Sequence, residues 1–444
     1  MREIENIINK YNLIKQGEII GIAVSGGRDS MALLHFLNSI KKDKFSIIAI
    51  NIDHNLREAS AQDSAFVRNY CEKNNIKCLS YSVDVKDLCE KEGLTLEQGA
   101  RDARYKIFRS LIKNKVVNKI ALGHHLQDQA ETILLNIFRG CGLKGACGMD
   151  FIKDGMFIRP MLSTPRTEIQ AYIEANEIPF VDDETNFIND CSRNLIRNEI
   201  MPLIRNKWSN ADSAICSFGR LCRTDEEYIQ SQISPNAITI ENGSAKILIN
   251  YLTQADSICN RIITKALDKI SQIKDIESKH ITAIKDLALN GKNGAKLNLP
   301  NKLTAIKEYN YLILTNRSYK PAMKTYPMKK GKLSFQDFGM IEIKVTRKLD
   351  KNLFTHIVDY NKIPKTAVWR FRENGDVFQK FGGGTKSLND YFIDKKVPTR
   401  FRDVTPVLAD GNEILIVAGI EISKKVKIDE ETKTAFGINV VKFF

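Results

Sequence analysis

The chain has no uninterrupted apolar stretch of about 18 residues, the length a membrane-spanning helix needs. Its first residues, MREIENIINK, lack the basic-then-apolar layout of a secretory leader. A cytoplasmic protein without membrane association is therefore expected. Its nine cysteines are scattered and include no CxxC pair, which argues against a zinc site, an iron–sulfur centre or a disulfide framework. Most of them are expected to be small buried residues. The lysine-bearing phosphate loop GxxxxGK[ST] is also missing, which excludes that ATPase class. Neither an internal repeat nor a low-complexity tract is present.

What is present is a soluble globular composition, 43% hydrophobic and 27% charged, over 444 residues. That length accommodates two to four domains. The formal charge is +14, and it is unevenly spread. Residues 321–402 hold 18 Lys/Arg against 8 Asp/Glu, a balance of +10. A basic surface of this kind suits a polyanion such as nucleic acid, or is a solvated basic face. Charge alone does not choose among tRNA, rRNA and DNA.

Apolar runs rich in β-branched residues, at Ile19–Val24, Phe45–Ile52, Cys78–Val83 and Lys119–Gly123, alternate with helical patterns. The helices are predicted at Ser30–Ser39, Ala61–Asn74 and Leu96–Asn114, with another after Asp128. This rhythm predicts an α/β fold, a Rossmann-like parallel sheet covered on both faces. Ligands of such sheets sit at the carboxyl ends of the strands. Beyond about residue 150 the rhythm changes, and a linking segment leads to a helix at Arg166–Asn176. Residues from Arg193 to Leu289 read as mostly helical, with short strands near 237–250 and a hairpin over 296–315. The Pro- and Lys-rich stretch 320–332 is the best linker candidate. The expected domains are a catalytic domain over 1–205, a mainly helical domain over 206–320, and a small basic mixed α/β domain over 333–444.

Three polar clusters fall at strand ends. The first, Ser25-Gly26-Gly27-Arg28-Asp29-Ser30, lies between a strand and a helix start. Gly26 and Gly27 let backbone amides approach phosphate oxygens, and the helix dipole favours the negative charge. Ser25 and Ser30 add hydroxyl donors, and Asp29 can organise Mg²⁺ or an amide of the turn. The second cluster, Asn51-Ile52-Asp53-His54-Asn55-Leu56-Arg57, is placed to meet an adenine or a ribose, or is a capped polar loop. The third runs from Gly123 to Thr132. There His124 can donate to an anionic group, and Asp128 and Glu131 share one helical face. Two carboxylates so placed can bind Mg²⁺, or anchor an ammonium and take its proton. His125 is expected to point elsewhere. Arg101 and Arg104 lie one helical turn apart, and Arg193, Asn194 and Arg197 follow at i, i+1, i+4. Both sets suit phosphate groups, and both equally suit salt-bridged surface helices.

The SGGRDS loop is the SGGxDS pattern of PP-loop enzymes, which cleave ATP to AMP and pyrophosphate. Together with NIDHNLR, ARDARY, GHHLQDQAETILLNIFRGCGLKGACGM, IRPMLSTPRTEIQAYI, DETNFINDCSRNLIRNEIMPLI and GGGTKSLNDYFIDKKVPTRFRDVTPVL, it closely resembles the tRNA(Ile)-lysidine synthase family of N-type ATP pyrophosphatases. The SGG loop marks only the superfamily, whereas the RGCGLKG, DETN…RNLIR and KSLNDYFIDKKVP segments are far more specific to this family.

The resemblance implies ATP as co-substrate, Mg²⁺, free L-lysine and a CAU-anticodon tRNA(Ile) as reactants, and it leaves room for a homodimer. The wobble cytidine would attack the α-phosphate of ATP through its C2 oxygen, and lysine would then displace AMP to give lysidine. Ser25 to Ser30 would hold pyrophosphate, with Asp53 also in the ATP site. Arg104 and His124 would stabilise the α-phosphate, and Asp29 and Asp128 would serve Mg²⁺. Asp128 and Glu131 would receive the lysine side chain, while Arg193 and Arg197 would hold its carboxylate or the tRNA backbone. Lys386, Lys395, Lys396, Arg400 and Arg402 would contact the tRNA backbone at the acceptor stem, and Gly382 to Gly384 would form a phosphate nest or a turn. Gln127 stands where the family commonly carries a first aspartate. A cytidine 2-thiolase of the PP-loop class is the alternative, although that chemistry usually calls for paired cysteines.

Overall fold

The computed structural model describes residues 2–53, 60–93, 95–181, 192–270, 275–318, 324–347, 350–380 and 384–442. Three sequence features therefore lie wholly or partly outside the described residues: His54 to Arg57, Gly382 with Gly383, and residues 182–191 of the DETN block. The chain forms two compact units, Met1–Tyr228 and Ile229–Phe444. Among the described residues no helix is long and apolar enough to cross a membrane.

The first unit opens with helix α1 (Arg2–Lys10) and then follows the expected alternation. Its elements are β1 (Ile19–Ala23), α2 (Arg28–Ile40), β2 (Ser46–Asp53), α3 (Ser60–Lys73), β3 (Lys77–Ser82), α4 (Val85–Glu92), α5 (Leu96–Lys113), β4 (Lys119–Ala121) and α6 (Leu126–Phe138). After it come α7 (Leu143–Ala146), the short strands β5 (Ile152–Lys153) and β6 (Phe157–Ile158), and α8 (Arg166–Ala175). The unit closes with α9 (Ser192–Leu195), a π-helical turn at Ile196–Ile200, α10 (Met201–Lys207) and all but the last three residues of α11 (Ala211–Ser231).

The sheet order is β3-β2-β1-β4-β6-β5, parallel except for the edge pair β5–β6. Alternate residues of each strand face opposite cores, which is why the strands read as continuous apolar runs. Ile47 and Ala49 join Ile20, Ile22, Leu34 and Ile169 on one face. Ile48 and Ile50 join Phe108, Ile120 and Phe157 on the other. Gly21 sits at the centre of β1, where a Cβ would lie 2.5 Å from Ile50 Cδ1 and 2.7 Å from Ile120 Cδ1. The absent side chain makes room for the β2 and β4 isoleucines.

The second unit has two cores. The first lies under a five-stranded antiparallel sheet, ordered Ile238–Glu241, Ser244–Leu248, Tyr311–Thr315, Thr304–Glu308 and Lys296–Asn298. Helices Asp256–Ile270 and Ser278–Asn290 cover it through Ile262, Ile263, Leu267 and Ile284. The hairpin expected over 296–315 is thus three strands of a larger sheet. The second core, around Trp369, Tyr391, Phe338 and Phe378, lies among a seven-stranded and a four-stranded sheet. Two short helices, Leu388–Asp394 and Thr399–Arg402, pack there. Part of the expected linker belongs to these sheets, because Tyr326–Pro327 pairs with Val368–Trp369 and Gly331 begins a strand.

Candidate active site

The loop between β1 and α2 is shaped by local chemistry. Gly26 takes φ +90°, a conformation that glycine reaches without strain. Ser30 Oγ donates to the Gly27 carbonyl at 2.8 Å and accepts from the Ser25 N–H at 3.2 Å. The turn is therefore closed by its own serines. The α2 N-cap, Gly27, makes no side-chain cap bond, and the first-turn amides of a helix are donors suited to an anion. Buried Asn51, at the end of β2, donates to the Val24 carbonyl at 2.9 Å. The Val181 N–H donates to Gly26 O at 3.0 Å, and the Arg28 guanidinium stacks 4.7 Å over the Phe180 ring. Gly123 lets the β4 end pass close to α2, since a Cβ there would meet the Asp29 backbone at 3.4 Å.

These elements enclose a cleft of about 490 Å³. Its apolar wall is Ala23, Val24, Ile50, Ile52, Phe108 and Leu122, and its polar wall includes Ser25, Asp29, Arg104, His124, Asp128 and Arg197. An apolar wall opposite a glycine turn and converging cations is suited to an adenine and its phosphates. Asp53 is not among the lining residues, whereas Asp63 of α3 is. A second, larger cavity of about 1320 Å³ shares Arg28, Asp29, Asp128, Arg166 and Arg197 with the first. Arg205 closes one end of it, paired with Asp212 through bonds of 2.8 and 2.9 Å.

The carboxylates at the junction are not bare. Arg197 Nη2 donates to Asp128 Oδ1 at 2.7 Å and to Glu131 Oε2 at 2.9 Å, and its Nε reaches Glu131 Oε1 at 3.0 Å. Arg193 Nη2 adds a bond to Asp128 Oδ1 at 3.1 Å. Asp128 Oδ2 accepts the His125 N–H at 3.0 Å. Burial works to raise the Asp128 carboxyl, but His125 and the two arginines bring it down to about 2. Arg193 and Arg197 thus form ion pairs with the carboxylates of α6.

The π turn at Ile196–Ile200 sets this arrangement. The Met201 N–H bonds back to Ile196 O, and Pro202 has no N–H to continue a normal helix. His125 also differs from expectation. Its Nε2 lies 3.6 Å from both Asp29 Oδ2 and Asp128 Oδ2, so it bridges the glycine loop and α6. Position at a helix N-cap was the sequence signal for it. His124 borders the cleft, and burial lowers its imidazole to about 3. It is a neutral hydrogen-bonding group. Gln127 Oε1 accepts the Arg166 N–H at 3.0 Å and so caps α8.

Burial raises the Asp29 carboxyl, and its Oδ1 has no hydrogen-bond partner among the described residues. One free carboxylate oxygen beside a phosphate cradle fits Mg²⁺, which takes one or two carboxylates and completes its shell with phosphates and water. Asp128 fits less well, because both of its oxygens are engaged. Among the described residues no group of three or more acidic, His or Cys side chains could hold a metal by itself. All eight described cysteines are free. Cys141 and Cys147 pack with Cys222 in an apolar cluster.

The five basic C-terminal candidates divide. Lys386 bonds Asp394 at 2.9 Å, Lys395 pairs with Glu421 at 2.6 Å, and these two and Lys396 are exposed. Arg402 is buried, its Nε on the Val397 carbonyl at 2.9 Å and its Nη2 on the Tyr309 hydroxyl at 3.4 Å. Arg400 is also largely enclosed, 3.7 Å from Glu308. Neither arginine offers the exposed guanidinium that a backbone contact requires.

Comparison with known proteins accords with this geometry. The PP-loop domain family matches residues 1–204, and the TilS substrate C-terminal domain family matches residues 367–438. The tRNA(Ile)-lysidine synthase of Clostridioides difficile (strain 630) is 34% identical, over 98% of this chain and 98% of its own. That of Clostridium tetani (strain Massachusetts / E88) is 31% identical over 98% of this chain and 97% of its own. The glycine turn, the acidic face of α6 and a likeness running almost end to end establish that the chain belongs to the tRNA(Ile)-lysidine synthase family.

Proposed function

We propose that the protein joins free L-lysine to C2 of the wobble cytidine in a CAU-anticodon tRNA(Ile), consuming ATP and releasing pyrophosphate and AMP. The observation that carries this reading is the pair of cavities meeting at Asp128 and Arg197. One has the walls of a nucleotide site, and the other holds carboxylates suited to an amine.

In the first step the cytidine O2 attacks the α-phosphate, forming a P–O bond as the bond to pyrophosphate breaks. The amides of the 25–30 turn receive the pyrophosphate charge, and Arg104 and neutral His124 donate to the α-phosphate oxygens. Mg²⁺, held by Asp29, would offset phosphate charge. In the second step the lysine Nε, its ammonium proton released to solvent, attacks C2, and the C2–O bond breaks as AMP leaves with the bonding pair. Asp128 anchors the incoming ammonium rather than acting as its base, because a carboxyl near 2 is a weak proton acceptor. The ammonium competes there with Arg193 and Arg197.

Residues 1–205 would carry this chemistry. Residues 206–320 and 333–444 would hold the tRNA, with Lys386, Lys395 and Lys396 contributing backbone contacts that strengthen binding without reading sequence. The test is incubation with ATP, labelled lysine and CAU-anticodon transcripts. Label should enter the isoleucine tRNA but not the methionine tRNA. Incorporation into neither would overturn the reading.

A further inference from the structure

Within the second unit, a cavity of about 520 Å³ lies between the Thr304–Glu308/Tyr311–Thr315 hairpin and the segment around Lys396 to Phe401. That volume is in the range of small-molecule sites, and neither reaction step above uses it. Two charged side chains face each other across it without satisfying one another. Arg400 is 10% exposed and Glu308 5%, yet their closest approach is 3.7 Å. Arg400 Nε and Nη1 and Glu308 Oε1 are buried without a hydrogen-bond partner among the described residues. Burial raises the Glu308 carboxyl and outweighs both the Arg400 guanidinium and a bond from the Arg400 backbone. Unmade bonds of this kind are costly, and native proteins retain them chiefly where something else completes them.

The surroundings define what would complete them. Tyr311 and Phe401 present ring faces, already engaged by cations: Lys246 Nζ lies 4.3 Å from the Tyr311 ring and Arg400 4.5 Å from the Phe401 ring. Lys396 lies at the rim. Tyr309 is pinned from behind, its hydroxyl held by Arg402 and its N–H donating to Asn293 at 2.7 Å. A suitable ligand is flat, offers an acceptor to Arg400 and an N–H donor to Glu308, and carries negative charge toward Lys246 and Lys396.

We propose that this cavity binds one unpaired nucleotide with an amino-bearing base, stacked on Tyr311, its edge bridging Arg400 and Glu308 and its phosphate directed to Lys246 and Lys396. Cytosine illustrates the fit: its amine donates to the carboxylate, and its ring nitrogen and carbonyl accept from the guanidinium. Uracil presents a carbonyl where cytosine presents the amine, and so meets Glu308 with like polarity. The nucleotide is either a residue of an RNA strand or a free mononucleotide. This proposal does not depend on the lysine chemistry, and its failure would leave that reading intact.

The test uses the full chain with its ATP cleft saturated by a non-hydrolysable ATP analogue, titrated calorimetrically with CMP and with UMP. CMP is expected to bind once per chain and more tightly than UMP. Tyr311→Ala, at an exposed ring, should weaken CMP by about tenfold, the scale of one lost stacking contact. Glu308→Gln should erase the preference for CMP over UMP, a change that a merely structural role would not produce. Tighter binding of a single-stranded tetracytidylate than of CMP assigns the site to an RNA strand, and equal binding assigns it to a free nucleotide. Absence of CMP binding to the saturated protein, or binding unchanged in both variants, would overturn the proposal.

Discussion

Arg197 donates to Asp128 at 2.7 Å from a π-helical turn, and the same guanidinium grips Glu131. Asp128 and Glu131, the two carboxylates proposed to receive an amine, are thus both ion-paired to one arginine. On the proposed function, a lysine side chain would exchange with these guanidiniums, or share the carboxylates with them, to reach the reacting base.

That pairing makes Arg197 sensitive to shape as well as charge. Arg197→Lys should keep the chain folded but reduce lysine incorporation by about tenfold or more, because an ammonium cannot reproduce the forked contact to two carboxylates. Arg197→Met leaves 2%-exposed Glu131 with a weaker partner and should lower stability by about 2 kcal/mol, Arg193 limiting the loss. Denaturant melts and steady-state incorporation separate the two effects.

Asp128 and Gln127 are neighbours with different duties. Asp128→Asn should reduce lysidine formation by about 100-fold or more, since the buried charge facing both cavities is lost. Gln127→Ala removes a cap from α8 and should cost about 1 kcal/mol while most activity remains. Equal activity of the two purified variants would contradict the assignment.

Acid should destabilise the first unit in two stages. His124 has a folded value of about 3 against an ordinary 6.5, so below about 6.5 the unfolded chain binds a proton that the folded chain refuses. Its contribution is complete above that value and is lost as pH falls toward 3. Asp128, depressed from 3.8 to about 2, contributes stability above about 4 that is lost as pH falls toward 2. Thermal midpoints of His124→Gln between pH 7 and 4 should fall less steeply than those of the parent.

Gly26→Ala places a side chain at φ +90° and should cost about 1–2 kcal/mol. The strained turn would re-aim the amides proposed to meet phosphate, so ATP affinity should fall as well. Calorimetric titration with ATP and a thermal melt of the same variant measure both.

The C-terminal basic residues should separate by burial. Lys386→Ala and Lys395→Ala, at exposed ion pairs, should weaken tRNA binding and each lower its salt slope by about 1. Arg402→Ala should instead act on stability, by about 2 kcal/mol, through the lost Val397 and Tyr309 bonds. Filter binding across a salt series, beside melts, distinguishes the two behaviours.

Legible along the chain were the strand–turn–helix of residues 19–40, the β-α alternation through α6, and His124 past a strand end with Asp128 and Glu131 on the helix that follows. These follow from signals local to the chain: apolar periodicity, a glycine turn, and i, i+3 spacing on one helix. The sequence pattern missed α4, whose eight residues, VKDLCEKE, span little more than two turns and carry five charges.

Which charges meet was decided only by the tertiary structure. Arg197 and Glu131 are 66 residues apart, and their contact depends on a π turn beside Pro202 that no periodicity encodes. Arg400 and Arg402 read like the lysines around them, but their guanidiniums are enclosed beside Glu308 and Tyr309. His125 lies inside the site because its N-cap position turns the ring toward Asp29. An ion pair between distant segments is selected by desolvation and geometry after folding, and a linear pattern of charges carries neither.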